Sequence, residues 1–256
     1  MLDLRKQSGI PIKLKDNGEL YFYNNFTPIE PDVRTFKELK KFINDGRKFT
    51  DIKDSEPCYF MYRGVFESGN LRYDITILPS RKIGNEFNKT VGHYHPNKPK
   101  TKVAYPEIYE VVSGRALYLL QKNDLKDAIL VEVLEGEKVV IPPGYGHVTI
   151  NPDERPLVMA NLLDASFESD YDFYKTHKGG ASYIVKDEDS FKVITNPNYP
   201  KKILPRMARP RDLMLFEIDA SRLLFQFQEN PEKFSWLSNP EEYLVQLVPQ
   251  SFFYFK

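Results

Sequence analysis

The chain has 256 residues, and its 36 lysines and arginines balance 36 aspartates and glutamates, so its formal charge is zero. Without a net positive field nothing gathers nucleic acid or an anionic membrane, and neither is expected as a partner. A hydrophobic share of 41% with 14% aromatic residues is enough apolar surface for a core, which excludes global disorder. The single cysteine, Cys58, has no internal partner for a disulfide, which points to a reducing, cytoplasmic setting. The first residues have no apolar stretch of signal-peptide length, and the apolar run 244–255 is broken by Pro249. A membrane span is therefore not expected.

In chain order, Val33, Phe36, Leu39, Lys40 and Ile43 recur at spacings of three and four, which predicts an amphipathic helix over 32–44 that covers the core. From Tyr59 the pattern changes to short β-rich runs at 59–62, 73–78, 107–112, 116–121, 128–134, 138–141 and 157–163. Turn signals such as Ser68-Gly69-Asn70, Ser113-Gly114 and Pro142-Pro143-Gly144 separate them. Many short strands at even spacing predict an antiparallel sandwich or jelly roll, ending with strands at 182–186 and 191–195.

Beyond Asn196-Pro197-Asn198-Tyr199-Pro200 lie Lys201, Lys202, Arg206, Arg209 and Arg211 with no acidic residue among them, which predicts a solvated linker. The tail after it holds an echo, Asn230-Pro-Glu-Lys-Phe and Asn239-Pro-Glu-Glu-Tyr. Asn before Pro and Glu opens a helix well, so each copy predicts a short one. The expected organisation is an N-terminal segment with its covering helix over 1–50, a barrel over 51–200 and an extension over 201–256. Short helices of that extension would pack on the barrel or on a dimer.

Three of the four histidines carry the chemistry. His93 and His95 are two apart, so on an extended strand both imidazoles point to one face and can share an ion. Glu107 heads a predicted strand, and His147 follows the Pro142-Pro143-Gly144-Tyr145-Gly146 turn. Three neutral imidazoles and a carboxylate suit a divalent first-row metal with positions left open for substrate oxygens. A His-x-His pair by itself proves little. The weight comes from its occurrence together with the downstream Glu, with Gly114 after a strand, and with Pro-Pro-Gly-x-x-His.

The segments Thr90-Val-Gly-His-Tyr-His95, Glu107-Ile-Tyr-Glu-Val-Val-Ser-Gly114 and Ile141-Pro-Pro-Gly-Tyr-Gly-His147-Val-Thr-Ile-Asn151 resemble the two motifs of the cupins. More specifically they resemble the cupin-type glucose-6-phosphate isomerases best known from archaea, with the similarity running from about Val33 to Tyr199. The resemblance implies a mainly β fold, a cupin jelly-roll β-barrel with a few peripheral helices and, here, an added C-terminal extension. It implies His93, His95, Glu107 and His147 as ligands of one divalent metal, Fe²⁺ first and Mn²⁺, Ni²⁺ or Zn²⁺ as alternatives. It also implies Glu107 and Tyr109 as catalytic, Tyr59, Thr76, Thr90, Gly92 and Tyr171 as sugar-phosphate contacts, and a homodimer.

The implied reaction interconverts glucose 6-phosphate and fructose 6-phosphate, a step of glycolysis and gluconeogenesis. Hydroxyls and backbone N–H groups in a concave surface suit a phosphate, as Thr76, Thr90 and Gly92 could provide. A cation beside Glu107 lowers its basicity, so two routes stay open: the carboxylate shuttles a proton, or hydrogen moves directly as hydride. The chain departs from the family at Leu163 and Ser169, where relatives carry Tyr and His. The competing readings are a non-catalytic sugar-phosphate-binding cupin and another metal-dependent cupin enzyme such as a dioxygenase.

Overall fold

A computed structural model describes residues 1–24, 26–44, 51–188 and 190–256. The last six residues of the expected N-terminal segment, 45–50, lie outside them.

Strands rich in Val, Ile, Leu and Tyr build two main sheets. The first has six strands in the spatial order Lys138–Ile141, Glu107–Ser113, Leu157–Asp164, Leu71–Leu78, Pro57–Ser68 and Asp32–Thr35, every neighbouring pair antiparallel. The second has five, in the order Tyr145–Ile150, Arg115–Lys122, Ala128–Leu134, Arg206–Pro210 and Phe253–Phe255. From Glu107 to Asp164 the chain crosses repeatedly between the sheets, so successive strands face one another across a common interior as in a jelly roll. The fold is mainly β and cupin-like, as the sequence predicts. The expected closed barrel is instead two facing sheets, and the segment 89–93 lies along the edge strand Tyr145–Ile150 through isolated bridges, Lys89 to Ile150 and His93 to His147.

Glu107–Ser113 and Leu157–Asp164 are buried at every residue, because both faces of the first sheet are covered. The inner face lines a cavity. The outer face is roofed by the two chain ends: Tyr62 accepts a hydrogen bond from the Leu20 amide at 2.8 Å, and Phe225 and Phe227 pack on Phe66 and Tyr73. Burying large aromatic side chains on both sides is what makes this sheet the centre of the molecule.

Two sequence expectations need correction. The helix predicted over 32–44 begins only at Phe36: Asp32–Thr35 is an edge strand, followed by the helix Phe36–Leu39 and a 3-10 turn Lys40–Phe42. Thr35 makes the switch, because the Glu38 carboxylate accepts from the Thr35 amide at 2.9 Å and from its hydroxyl at 3.0 Å, a capping box that fixes the start. The basic run 201–211 is no free linker either. Arg206–Pro210 adds to the second sheet parallel to Ala128–Leu134, Phe253–Phe255 adds beside it, and Arg206 and Arg209 pair with Asp127 and Glu132. Short-range composition shows the charge but not the carboxylates waiting on a distant strand.

The echo behaves as predicted in kind: Pro231–Phe234 and Pro240–Tyr243 are short 3-10 turns, each with Asn before its leading Pro. Among the described residues no helix is long and apolar enough to cross a membrane.

Candidate metal centre and its cavity

His93-Tyr94-His95 is an extended segment rather than a named strand, clamped on both edges. His93 and His147 exchange backbone hydrogen bonds at 3.3 and 3.1 Å, and Tyr94 and Asp170 do the same at 2.9 and 2.8 Å. Alternation then sends both imidazoles inward and Tyr94 away, against Phe173 and Tyr174. The approach is close enough to require glycine twice. A Cβ on Gly92 would lie 2.3 Å from the Tyr174 ring, and one on Gly146 would lie 2.6 Å from the Tyr94 ring.

The donor atoms of His93, His95, Glu107 and His147 all lie within 4.8 Å of one another. His95 donates from Nδ1 to the Tyr105 carbonyl at 3.0 Å, which leaves its Nε2 as a lone pair. That lone pair faces Glu107 Oε2 at 3.4 Å, and His147 Nε2 is also 3.4 Å from the same oxygen. His95 Nε2 and Glu107 Oε2 are buried and have no hydrogen-bond partner. Two acceptors turned towards each other in a dry site would cost about 1–3 kcal/mol each if nothing satisfied them. A divalent cation among the four donors removes that cost, so the residues fit the metal that the sequence pattern implies.

The surroundings keep this donor set in the right state. Burial first, and the neighbouring imidazoles second, hold the pKa values of His93 and His147 well below the usual histidine range, so both rings stay neutral and able to ligate. Glu107 Oε1 accepts from Asn161 Nδ2 at 2.7 Å, which fixes the carboxylate and leaves Oε2 for the centre. The Tyr109 hydroxyl meets His147 Nε2 at 3.0 Å; burial and the nearby Glu107 push its pKa well above 10, so it remains a protonated donor.

The centre forms one wall of a cavity with about 580 Å³ of empty space. Of the residues singled out from the sequence, Tyr59, Thr76, Thr90, Glu107, Tyr109, Tyr171 and the three histidines line it. Thr90 Oγ1 accepts from the Thr149 amide at 2.9 Å, which orients its hydroxyl, and Tyr59, its pKa raised to about 12 by burial, accepts from the Val91 amide at 3.2 Å. Gly92 does not line the cavity; its position is taken up with the Tyr174 contact. Leu163 and Ser169 do line it, so the two departures from the family pattern sit at the site itself.

Sequence reasoning passed over Asn161, Arg63, Arg72 and Asp74, which also line the cavity. A signal existed: Asn161 is a polar residue in the middle of an apolar run, and Arg72, Asp74 and Thr76 alternate with apolar residues on one strand, Asp74 being the register partner of Asn161.

Comparison with known proteins supplies the remaining finding. The glucose-6-phosphate isomerase (GPI) family model matches residues 33–201. The chain is 28% identical over 170 residues to a glucose-6-phosphate isomerase of Thermococcus onnurineus, covering 65% of this chain and 86% of that protein. It is 30% identical over 173 residues to a putative glucose-6-phosphate isomerase 1 of Rhizobium meliloti, covering 65% and 78%. A solved oxalate oxidase gives a partial likeness, with a TM-score of 0.35 and 15% identity over 44% of this chain and 55% of that one. The motifs that hold the four metal donors fall inside the matched 169 of 256 residues, and the chain belongs to the glucose-6-phosphate isomerase family.

Proposed function

We propose that this protein interconverts glucose 6-phosphate and fructose 6-phosphate at this cavity, with one divalent cation, Fe²⁺, held by His93, His95, Glu107 and His147. The observation that carries the reading is the convergence of these four donors, with His95 Nε2, Glu107 Oε2 and His147 Nδ1 lacking a protein partner, in a member of this family. A bound cation supplies Lewis-acid polarisation of the sugar carbonyl and stabilises negative charge on its oxygens.

The chain's own groups do the rest. Glu107, one oxygen held by Asn161 and Oε2 free of any protein hydrogen bond, would carry a proton between C2 and C1 once released from the cation; direct hydride movement between the two carbons is the other route. Tyr109, whose hydroxyl meets His147 Nε2, would turn it to a sugar oxygen once that nitrogen ligates the cation. Thr76, Thr90, Tyr59 and Tyr171 supply hydroxyls around the rest of the substrate.

In this reading residues 51–200 hold the catalytic apparatus, while the flanking segments add edge strands, Asp32–Thr35 to the first sheet and Arg206–Pro210 and Phe253–Phe255 to the second. The protein would act in the cytoplasm as a homodimer, a state that sedimentation would measure. The test of function is a coupled assay of fructose 6-phosphate conversion before and after dialysis against a chelator. Activity should disappear and return with Fe²⁺ or Mn²⁺; unchanged turnover in the metal-free protein rejects the mechanism.

A further inference from the structure

The cavity face of the first sheet carries four charges: Arg63, Arg72, Asp74 and Glu107. Arg72 is already spoken for. Asp74 accepts from its Nε at 2.9 Å and from its Nη2 at 3.0 Å, a two-point pairing that cancels both charges in place. Glu107 belongs to the metal donors. Arg63 is different. Its Nε donates to Asp32 Oδ2 at 2.9 Å, but its Nη2 meets the Met61 thioether at 3.5 Å, and sulfur is a weak acceptor.

Arg63 follows Tyr59 and Met61 at alternate positions of one strand, so all three face the cavity. Beside it the register between Pro57–Ser68 and Leu71–Leu78 slips between Tyr62 and Phe66, where Gly64 adopts φ +64° and donates its amide to Asp74 Oδ1 at 2.8 Å. The strand that bears Arg63 lies three steps from the strand of Glu107, roughly 14 Å between backbones at the usual strand spacing.

We infer that Arg63 is the cation that grips the phosphate of the substrate and makes the site selective for phosphorylated over free sugars. The inference rests on the sugar-phosphate reading of this cavity. Hydroxyls and amides can satisfy phosphate oxygens, but they bring no charge. A guanidinium whose terminal fork lacks a carboxylate partner matches a dianion in both charge and geometry.

The test uses the metal-loaded protein with Arg63→Gln and Arg63→Lys. In Arg63→Gln the KM for glucose 6-phosphate should rise by about tenfold to a hundredfold, the loss of one charge-assisted contact. Turnover at saturation should fall far less, and Arg63→Lys should recover part of the affinity. The inhibition constant of inorganic phosphate should rise in parallel, whereas the metal content should not change. A KM within twofold of the parent, or a fall confined to turnover, overturns the inference. If the parent protein binds inorganic phosphate through Arg63 yet does not isomerise glucose 6-phosphate, the anion clamp stands and the isomerase reading falls.

Discussion

Glu107 and Glu110 sit on one strand, and both are almost wholly buried, yet they face opposite ways and live in opposite conditions. Glu107 points into the cavity with one oxygen held by Asn161 and the other unpartnered among imidazoles. Glu110 points outward, where Lys138 pairs with it at 2.9 Å and the Leu224 amide of the C-terminal extension donates to it at 2.8 Å. Lys138 also donates to the Ala220 carbonyl at 3.0 Å. The satisfied carboxylate is architecture that ties the extension to the sheet. The unsatisfied one faces the cavity, where the proposed reaction would need it. Burial of an acid therefore says little about role until each oxygen is accounted for.

The contrast can be broken by exchanging amides for acids. Glu110→Gln should cost about 3–5 kcal/mol of unfolding free energy, because Lys138 is left buried without its counter-charge, and turnover should stay near the parent value. Chemical denaturation with a parallel assay checks both. Burial raises the pKa of Glu110 above its ordinary 4.5, so the folded state holds the proton better than the unfolded chain does. That contribution is present below 4.5 and is lost as pH rises through the raised value.

Glu107→Gln should do the reverse: turnover falls by about a hundredfold or more, with little change in melting temperature. A near-normal rate would point to the hydride route. Asn161→Leu should lower turnover by about tenfold, since it frees the carboxylate without removing it, and single-turnover rates would show the loss. The smallest effect belongs to Thr90→Val, which should raise the KM for phosphorylated sugars by about threefold to tenfold through one lost hydroxyl contact. An equal effect on free glucose would take Thr90 out of the phosphate end.

The amino-acid sequence alone determined the mainly β character, most strand positions and the candidate cluster of His93, His95, Glu107 and His147, which the fold brings together. These are legible because they are local: alternation, turn residues and His-x-His spacing act within a few positions. The tertiary structure decided what depends on partners far along the chain. The 32–44 helix lost its first turn to an edge strand because Pro57–Ser68 was there to pair with it. The basic run 201–211 became a strand because Asp127 and Glu132 lie beside it. Asn161, Arg63 and Asp74 look like scattered polar residues until the antiparallel register brings their strands side by side on one face. Which of two buried acids is reactive follows from contacts that only folding creates.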